Sequence, residues 1–346
     1  MAKNIRVGLV IEPESAHRDE YLRGLAETEE VQSVALADAT GKMADRAREL
    51  LGTKLDGGIF KDVGQMLTRA APQMALITLP AVDAPPAIDA ALEAGCHVLA
   101  EKPACIRAED FAPLVTKAQR KHRELMLALG NRLHPPVREA RKLIRDGILG
   151  KLYGVNLYLI ADQTRLKNPA YHKQWFASRA RAGGGHLIWL GIHWLDLVHH
   201  FTGQSTKQVA ALTANVGGQP IDVEDSAVVA LRFDGGMQGT LQSGYYLDRG
   251  YHSHLILWGE HGWLRLALSD NHALEWYSNR GQDMPVVKRI EYPRQAGGYT
   301  PLVRAAVRAA AGLEPAPVTG AEGLLVLKAI FAAYRAAATG TTQTVS

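Results

Sequence analysis

Three short stretches of this chain carry residues whose types and spacing suit chemistry. The first is Glu101-Lys102-Pro103, directly after the apolar run His97-Val98-Leu99-Ala100. A lysine and a carboxylate closing a buried strand stand where open α/β sheets bind ligands; the alternative for Lys102 is an ordinary surface lysine. The second stretch follows Gly183-Gly184-Gly185 and carries His186, His193, Asp196, His199 and His200. On a helix, positions 193, 196 and 200 fall at i, i+3 and i+7 and share a face with Trp189. An imidazole titrates near neutrality and suits proton transfer, and Asp196 is placed either to orient His193 or to join it on a metal. A metal asks for three or four converging ligands. Only His193 and Asp196 converge, so no metal site is expected. His199 and His200 read as imidazoles favoured by a helix C-terminus.

The third stretch is the first turn, Gly8-Leu9-Val10-Ile11-Glu12-Pro13-Glu14-Ser15-Ala16. A pyrophosphate bound at such a turn needs glycines and free N–H groups at the helix N-terminus. Here there is no GxGxxG, and Pro13 has no N–H to donate. Glu12 and Glu14 put carboxylates at the phosphate position, where they satisfy the helix dipole themselves. The turn is expected to repel a pyrophosphate. Asp38 closes the second apolar run, placed to accept from a ribose hydroxyl or to cap the next helix. Tyr171-His172-Lys173-Gln174-Trp175 and Tyr245-Tyr246 through His254 add aromatic faces and hydrogen-bonding groups. Sugars are bound by that combination; the alternative is packing beneath loops.

The elements that must position these residues follow from the apolar pattern. Val7–Ile11, Val34–Ala37, Ala75–Leu79, His97–Ala100 and Leu125–Leu129 are continuous apolar runs of strand length. Helical segments at Ser15–Glu27, Met43–Leu51, Ala87–Ala94 and Ala108–Arg123 alternate with them, and Gly57–Phe60 is a short connection or strand. The alternation predicts a doubly wound parallel sheet with right-handed crossovers over residues 1–130. In 131–346 the texture changes. Leu152–Ile160, Ala227–Phe233, Met237–Ser243, His254–Trp258 and Trp263–Ala267 read as a mostly antiparallel sheet, interrupted by a helix at His186–Phe201. Helices return at Pro301–Ala311 and Ala321–Thr339, and these are expected to pack back on the first domain.

Composition narrows the function classes. With 346 residues, 47% hydrophobic and 21% charged, the chain is long enough for two domains and far from a disordered composition. The net charge of +4 is a thin excess, and the densest basic stretch, Lys117–Arg123, is interrupted by Ala118 and Gln119, so nucleic acid is not an expected partner. Cys96 and Cys105 make no metal-ligand or CxxC spacing, which fits a reduced compartment. The first apolar run stops at Glu12, too short for a signal peptide or a membrane span, and a cytoplasmic location is expected.

The runs Leu92–Pro103 and Gly183–Asp196, together with Asn131–Pro135, Asp146–Lys151, Val223–Ala227 and Pro317–Gly320, resemble the Gfo/Idh/MocA family of sugar and inositol oxidoreductases. The resemblance spans nearly the whole chain in the family's order. It implies an α/β fold with an N-terminal Rossmann-like, doubly wound parallel sheet. A C-terminal α/β domain with a large, mostly antiparallel open sheet would follow, that sheet joining copies into a homo-oligomer. It implies hydride transfer between NAD or NADP and a sugar, cyclitol or glycoside. Lys102 would hydrogen-bond the reacting hydroxyl and His193 would be the general acid/base; beside them Glu101, Trp189 and Asp196 are read from this chain's own residues as supporting positions. Gly8, Asp38, Pro80, Glu101 and Lys102 would meet the cofactor, and Arg132, Trp175 and His172 the substrate.

Departures from the family accompany the matches. The glycine turn is replaced, and a family Thr-Pro-Asn with a following His becomes Leu79-Pro80-Ala81-Val82-Asp83-Ala84. An acid four residues before the catalytic His becomes Trp189. Impaired or atypical cofactor binding is therefore expected. Two other readings stand beside the oxidoreductase: an NAD-independent lyase, isomerase or hydrolase on a carbohydrate-like substrate, metal-assisted in one version, and a non-catalytic sugar-binding member. Fold does not decide among them.

Overall fold

The structure is a computed structural model that describes residues 4–268, 273–281, 285–292 and 298–346. The chain forms two compact units, one of Met1–Gly130, Ala180–Gly183 and Gly297–Leu324, the other of Asn131–Arg179, Gly184–Ala296 and Leu325–Ser346.

In the first unit β1 (Ile5–Ile11), β2 (Val31–Ala37), β3 (Ile59–Phe60), β4 (Met74–Thr78), β5 (His97–Ala100) and β6 (Leu125–Leu127) make a parallel sheet in the order β3-β2-β1-β4-β5-β6. Its central strands are buried on both faces, which is why they read as unbroken apolar runs. The crossovers carry α1 (Arg18–Glu27), α2 (Ala44–Leu51), α3 (Val63–Ala70), α4 (Ala84–Glu93) and α5 (Ala108–Arg120). The strand order reverses between β1 and β4. The residues just past Ile11, Ala37, Thr78 and Ala100 therefore share the carboxyl edge beside the switch point, where such sheets bind ligands.

Two expectations are corrected here. α1 starts at Arg18 rather than Ser15, because His17 is left-handed at φ 51°. Its first-turn acids are thus Asp19 and Glu20, and Glu12 and Glu14 do not cap it. α3 falls where no element is expected from the sequence; Asp62 starts it by accepting from Gln65 N–H at 2.8 Å.

In the second unit α6 (Pro135–Arg145) begins on two prolines at its first positions, where a missing N–H costs nothing. β7 (Leu152–Asp162) follows. A four-residue α7 (Arg179–Ala182) and a π turn over Leu187–Gly191 precede α8 (Ile192–Thr202). Then come β8 (Thr206–Ala214), β9 (Ser226–Phe233), β10 (Gln238–Leu247), β11 (Tyr251–Gly259), β12 (Gly262–Leu266), β13 (Leu274–Ser278) and β14 (Lys288–Ile290). α9 (Tyr299–Ala310) belongs to the first unit and packs on α1. α10 (Gly320–Thr339) and β15 (Gln343–Thr344) end the chain. The sheet of this unit has nine strands ordered β14-β13-β12-β11-β7-β10-β9-β8-β15, antiparallel except for the β7–β10 pair. β9 alternates buried and exposed along its length, with Ala227, Val229, Leu231 and Phe233 inward. Among the described residues no helix is long and apolar enough to cross a membrane. Cys96 and Cys105 are both free and buried.

Candidate active site

β5 delivers Glu101 and Lys102 to the carboxyl edge of the first unit. Glu101 N–H donates to Ile77 O at 2.8 Å, fixing the end of β5 against β4. Lys102 is only 1% exposed, so it is not the surface lysine that was its alternative reading. Its peptide bond to Pro103 is cis. Glu101 is equally buried. Its Oε2 accepts from the Tyr21 hydroxyl at 2.5 Å and lies 3.0 Å from His17 Nδ1. The His17 ring stacks on Tyr299 at 4.0 Å between centroids. Burial works to raise the Glu101 carboxyl, but His17, Lys102 and the Tyr21 hydroxyl outweigh it and hold the group below its ordinary value. Burial and the Glu101 charge push the Tyr21 phenol well up, so it remains a donor. The result is a fixed, ionised carboxylate next to a buried lysine.

The switch-point turn is stitched closed. Ser15 Oγ accepts from Glu12 N–H at 2.9 Å and donates to Thr78 O, while Thr78 Oγ1 donates to Ala16 O at 3.1 Å. Arg18 donates to Pro13 O. Burial raises the Glu12 carboxyl; Arg181 opposes that, and Glu14, Asp83 and Asp38 add to it. Arg181 O accepts from Val82 N–H at 3.1 Å, and its guanidinium lies 3.8 Å from Asp83.

Three expected cofactor contacts have other tasks as they stand. Asp38 is a cap: Oδ1 accepts from Thr40 N–H and Oγ1 at 2.9 and 2.7 Å, and Oδ2 from Met43 N–H at 2.6 Å. Gly8 lies inside β1, where a Cβ would stand 2.7 Å from Met66 Cε and 3.1 Å from Pro72 Cγ, so it packs against those two side chains. Pro80 O accepts from the amides of Asp83 and Ala84 at 2.9 and 3.0 Å and shapes the loop into α4. The edge still suits a dinucleotide. The first-turn amides of α1 have no partner within the helix, and Arg18 and Arg181 bring positive charge to the turn that lacks glycines.

In the second unit the approach to α8 is fastened by Glu224, a role the sequence reading did not assign. Glu224 Oε2 accepts from Gly185 N–H at 2.7 Å, and Oε1 from Leu187 N–H at 3.0 Å and the Tyr334 hydroxyl at 2.8 Å. Close approach explains the glycines: a Cβ on Gly185 would stand 1.9 Å from Glu224 O, and one on Gly184 2.1 Å from the Tyr334 hydroxyl oxygen. The signal for Glu224 was the pairing of a glycine cluster with a buried acid. Burial raises the Glu224 carboxyl against these donors.

The expected helix over 186–201 is interrupted. Leu187 O accepts from Ile192 N–H, an i→i+5 bond, so the segment before α8 is a π turn. Trp189 and Leu190 within it and His193 just beyond it are half-buried. Asp196 is fully buried and paired with Arg132. Arg132 Nε lies 3.1 and 2.9 Å from its two oxygens, and Nη2 lies 2.6 Å from Oδ1. His186 Nδ1 meets Ser243 Oγ at 2.5 Å, and burial, then Arg165, pushes its pKa down to about 3. His199 is pushed down to about 4, mainly by burial, with Nε2 at 2.9 Å from Thr206 Oγ1. That corrects the dipole reading of His199, which favours a cation; desolvation is the larger effect. Among the described residues no three His, Cys, Asp or Glu side chains group as a metal site.

The expected substrate contacts are also redistributed. Trp175 is 1% exposed and meets Trp189 edge-on at 5.5 Å, so it backs the wall rather than facing out. Phe176, tilted on Trp189 at 5.0 Å and stacked with Tyr171 at 5.9 Å, is the half-buried aromatic the sequence reading passed over. His172 Nε2 is 2.6 Å from Leu166 O and holds its own loop. Arg132 serves Asp196. Half-buried side chains around the start of α8 include Tyr171, Phe176, Trp189, Leu190 and His193.

Residues 14–129 match the family profile described as an oxidoreductase family with an NAD-binding Rossmann fold, and residues 137–265 match the GFO/IDH/MocA C-terminal domain. An uncharacterized oxidoreductase of Synechocystis is 27% identical over 62% of this chain and 62% of its own length, so the chain spans about three fifths of that relative. The dTDP-3,4-didehydro-2,6-dideoxy-alpha-D-glucose 3-reductase of Saccharopolyspora spinosa is 26% identical over 93% of each chain. The structure of a levoglucosan dehydrogenase with NADH and levoglucosan is similar in fold, with a TM-score of 0.86 over 99% of each chain at 19% identity.

Proposed function

The chain belongs to the Gfo/Idh/MocA family of oxidoreductases, and from that premise we propose that it oxidises or reduces a hydroxyl-bearing carbon of a sugar, cyclitol or glycoside. The observation that carries the reading is Lys102, buried at the end of β5 beside an ionised Glu101 on the edge where a dinucleotide binds. A bound nicotinamide supplies the hydride acceptor or donor. Lys102 holds the reacting hydroxyl in the proposed reaction, and Glu101 keeps the lysine's surroundings negative. His193 takes the hydroxyl proton on oxidation and returns it on reduction. Trp189 and Phe176 present apolar faces to a sugar ring. The dinucleotide's phosphates are held by α1's amides with Arg18 and Arg181, which gives atypical and weaker binding than a glycine turn. Relatives named as a deoxysugar 3-reductase, a D-glucoside 3-dehydrogenase and a myo-inositol dehydrogenase support the substrate class. The protein acts as a homo-oligomer through the open face of its nine-stranded sheet. The test is a screen of purified protein with NAD and NADP against sugars, cyclitols and glycosides, reading nicotinamide absorbance. No turnover of any of them with either cofactor rejects the proposal.

A further inference from the structure

Arg165 follows the end of β7 and is half-buried. Its guanidinium carbon lies 5.7 Å from the centre of the Tyr245 ring, and Tyr171 and Tyr251 also stand close enough to act on its charge. Ala161 pairs with both Tyr245 and Tyr251, so the ends of β7 and β10 and the start of β11 bring this group together. Among the described residues Arg165 has no carboxylate in ion-pair contact and no side-chain hydrogen bond. Asp162 is the acid within reach of its field. The two oxygens of Asp162 instead accept from the backbone amides of Thr164 at 3.0 Å and Gly250 at 3.2 Å.

A guanidinium partly withdrawn from water and without an anion is destabilised, and tyrosine rings soften that cost without removing it. Its nitrogens still reach solvent, so an anion from outside the chain has access to them. The position also fits a ligand. Leu190 packs against the cluster of Ala161, Leu166 and Tyr245, and Leu190 lies three residues before His193, both of them half-buried. A planar guanidinium with nearby phenol donors matches a carboxylate, which it can grip through two parallel hydrogen bonds.

We propose that Arg165, with Tyr171 and Tyr245, binds a carboxylate on the substrate, so that the substrate class is an acidic sugar such as a uronate or aldonate. This rests on the reading of the second unit as sugar-binding. The test is titration of the intact protein with D-glucuronate, its methyl ester, D-glucose and glucose 6-phosphate, followed by tryptophan fluorescence. Glucuronate is expected to bind about 10–100-fold tighter than glucose or the ester, the range for a charge-assisted pair. Arg165→Gln is expected to abolish that preference while leaving glucose binding within about twofold, and the ester comparison needs no variant. No saturable glucuronate binding, equal affinity for the ester, a preference that survives Arg165→Gln, or tighter binding of the phosphate overturns the proposal. Failure of the redox reading looks different: turnover is absent with every sugar while the glucuronate preference remains measurable.

Discussion

Arg132 grips both carboxylate oxygens of Asp196 inside the second unit, with the two side chains almost wholly shut off from solvent. The pair ties the segment entering α6 to the middle of α8, the helix that carries His193. Removing one partner strands a buried charge, so Asp196→Ala is expected to lower stability by about 3–5 kcal/mol. The double variant Arg132→Met/Asp196→Leu should recover much of that loss. Urea unfolding of the three proteins measures it, and a single variant within about 1 kcal/mol of wild type contradicts the role.

Lys102→Met and His193→Gln should each reduce turnover on the best substrate found by about 10²–10⁴-fold with the circular dichroism spectrum unchanged. Turnover within a few-fold of wild type takes that residue out of the chemistry.

The stitched turn makes a separate expectation about the cofactor. Glu12 sits close to Arg181 and opposes a phosphate there. Glu12→Gln should tighten NAD or NADP binding about fivefold, and Arg181→Ala should weaken it by a similar factor, the size of one charge contact near a surface. Calorimetry on both variants decides this. A wild-type dissociation constant below about a micromolar, little changed by either substitution, shows that the phosphates lie elsewhere.

How much of this was legible in the sequence depended on what each residue packs against. β1, β4 and β5 were visible because strands buried on both faces cannot alternate, and Glu101-Lys102 was visible because it ends one of them. β8 was not: its Leu212 is 75% exposed and Lys207 faces solvent, so neither the run nor the alternation is clean. α6 was missed because Pro135-Pro136 reads as a break until it is placed at a helix start. The partners of Asp196 and the task of Glu224 come from residues 64 and 37 to 110 positions away, which no local pattern reports.

Acid should unfold the second unit through its histidines. His186 and His199 have folded values of about 3 and about 4, below the ordinary 6.5 of an unfolded chain. Between those values the unfolded state binds the extra protons. Stability is thus full above about pH 6.5 and falls as pH drops toward 4, by roughly 1.4 kcal/mol per unit for each histidine. His199→Gln should flatten the slope of the urea midpoint against pH between 4.5 and 6.5 (about the window in which only the unfolded state charges). An unchanged slope contradicts the assignment.

The open sheet face gives the last expectation. Leu212, Val228 and Trp258 are 75%, 47% and 42% exposed on adjacent or nearby strands. An apolar sheet face of this kind is suited to a second copy. The proposed oligomer is expected in light scattering after size-exclusion chromatography of the wild type, and Val228→Arg with Trp258→Arg should convert it to monomer with circular dichroism unchanged. A wild-type protein that is already monomeric contradicts it.

The π turn over Leu187–Gly191 has a consequence for how this site tolerates change in length. A π turn holds one residue more than the α turn it replaces. Deleting one of those five residues lets the segment relax to an α-helix, and because the turn had absorbed the extra residue, His193 keeps its direction relative to the anchored Gly185. A deletion inside α8, where no residue is in excess, instead rotates everything beyond it by about 100°. The π turn is thus the place on this path where chain length can change by one residue without re-aiming His193. A graft of this helix between relatives tolerates a one-residue difference there, and must keep the count within α8.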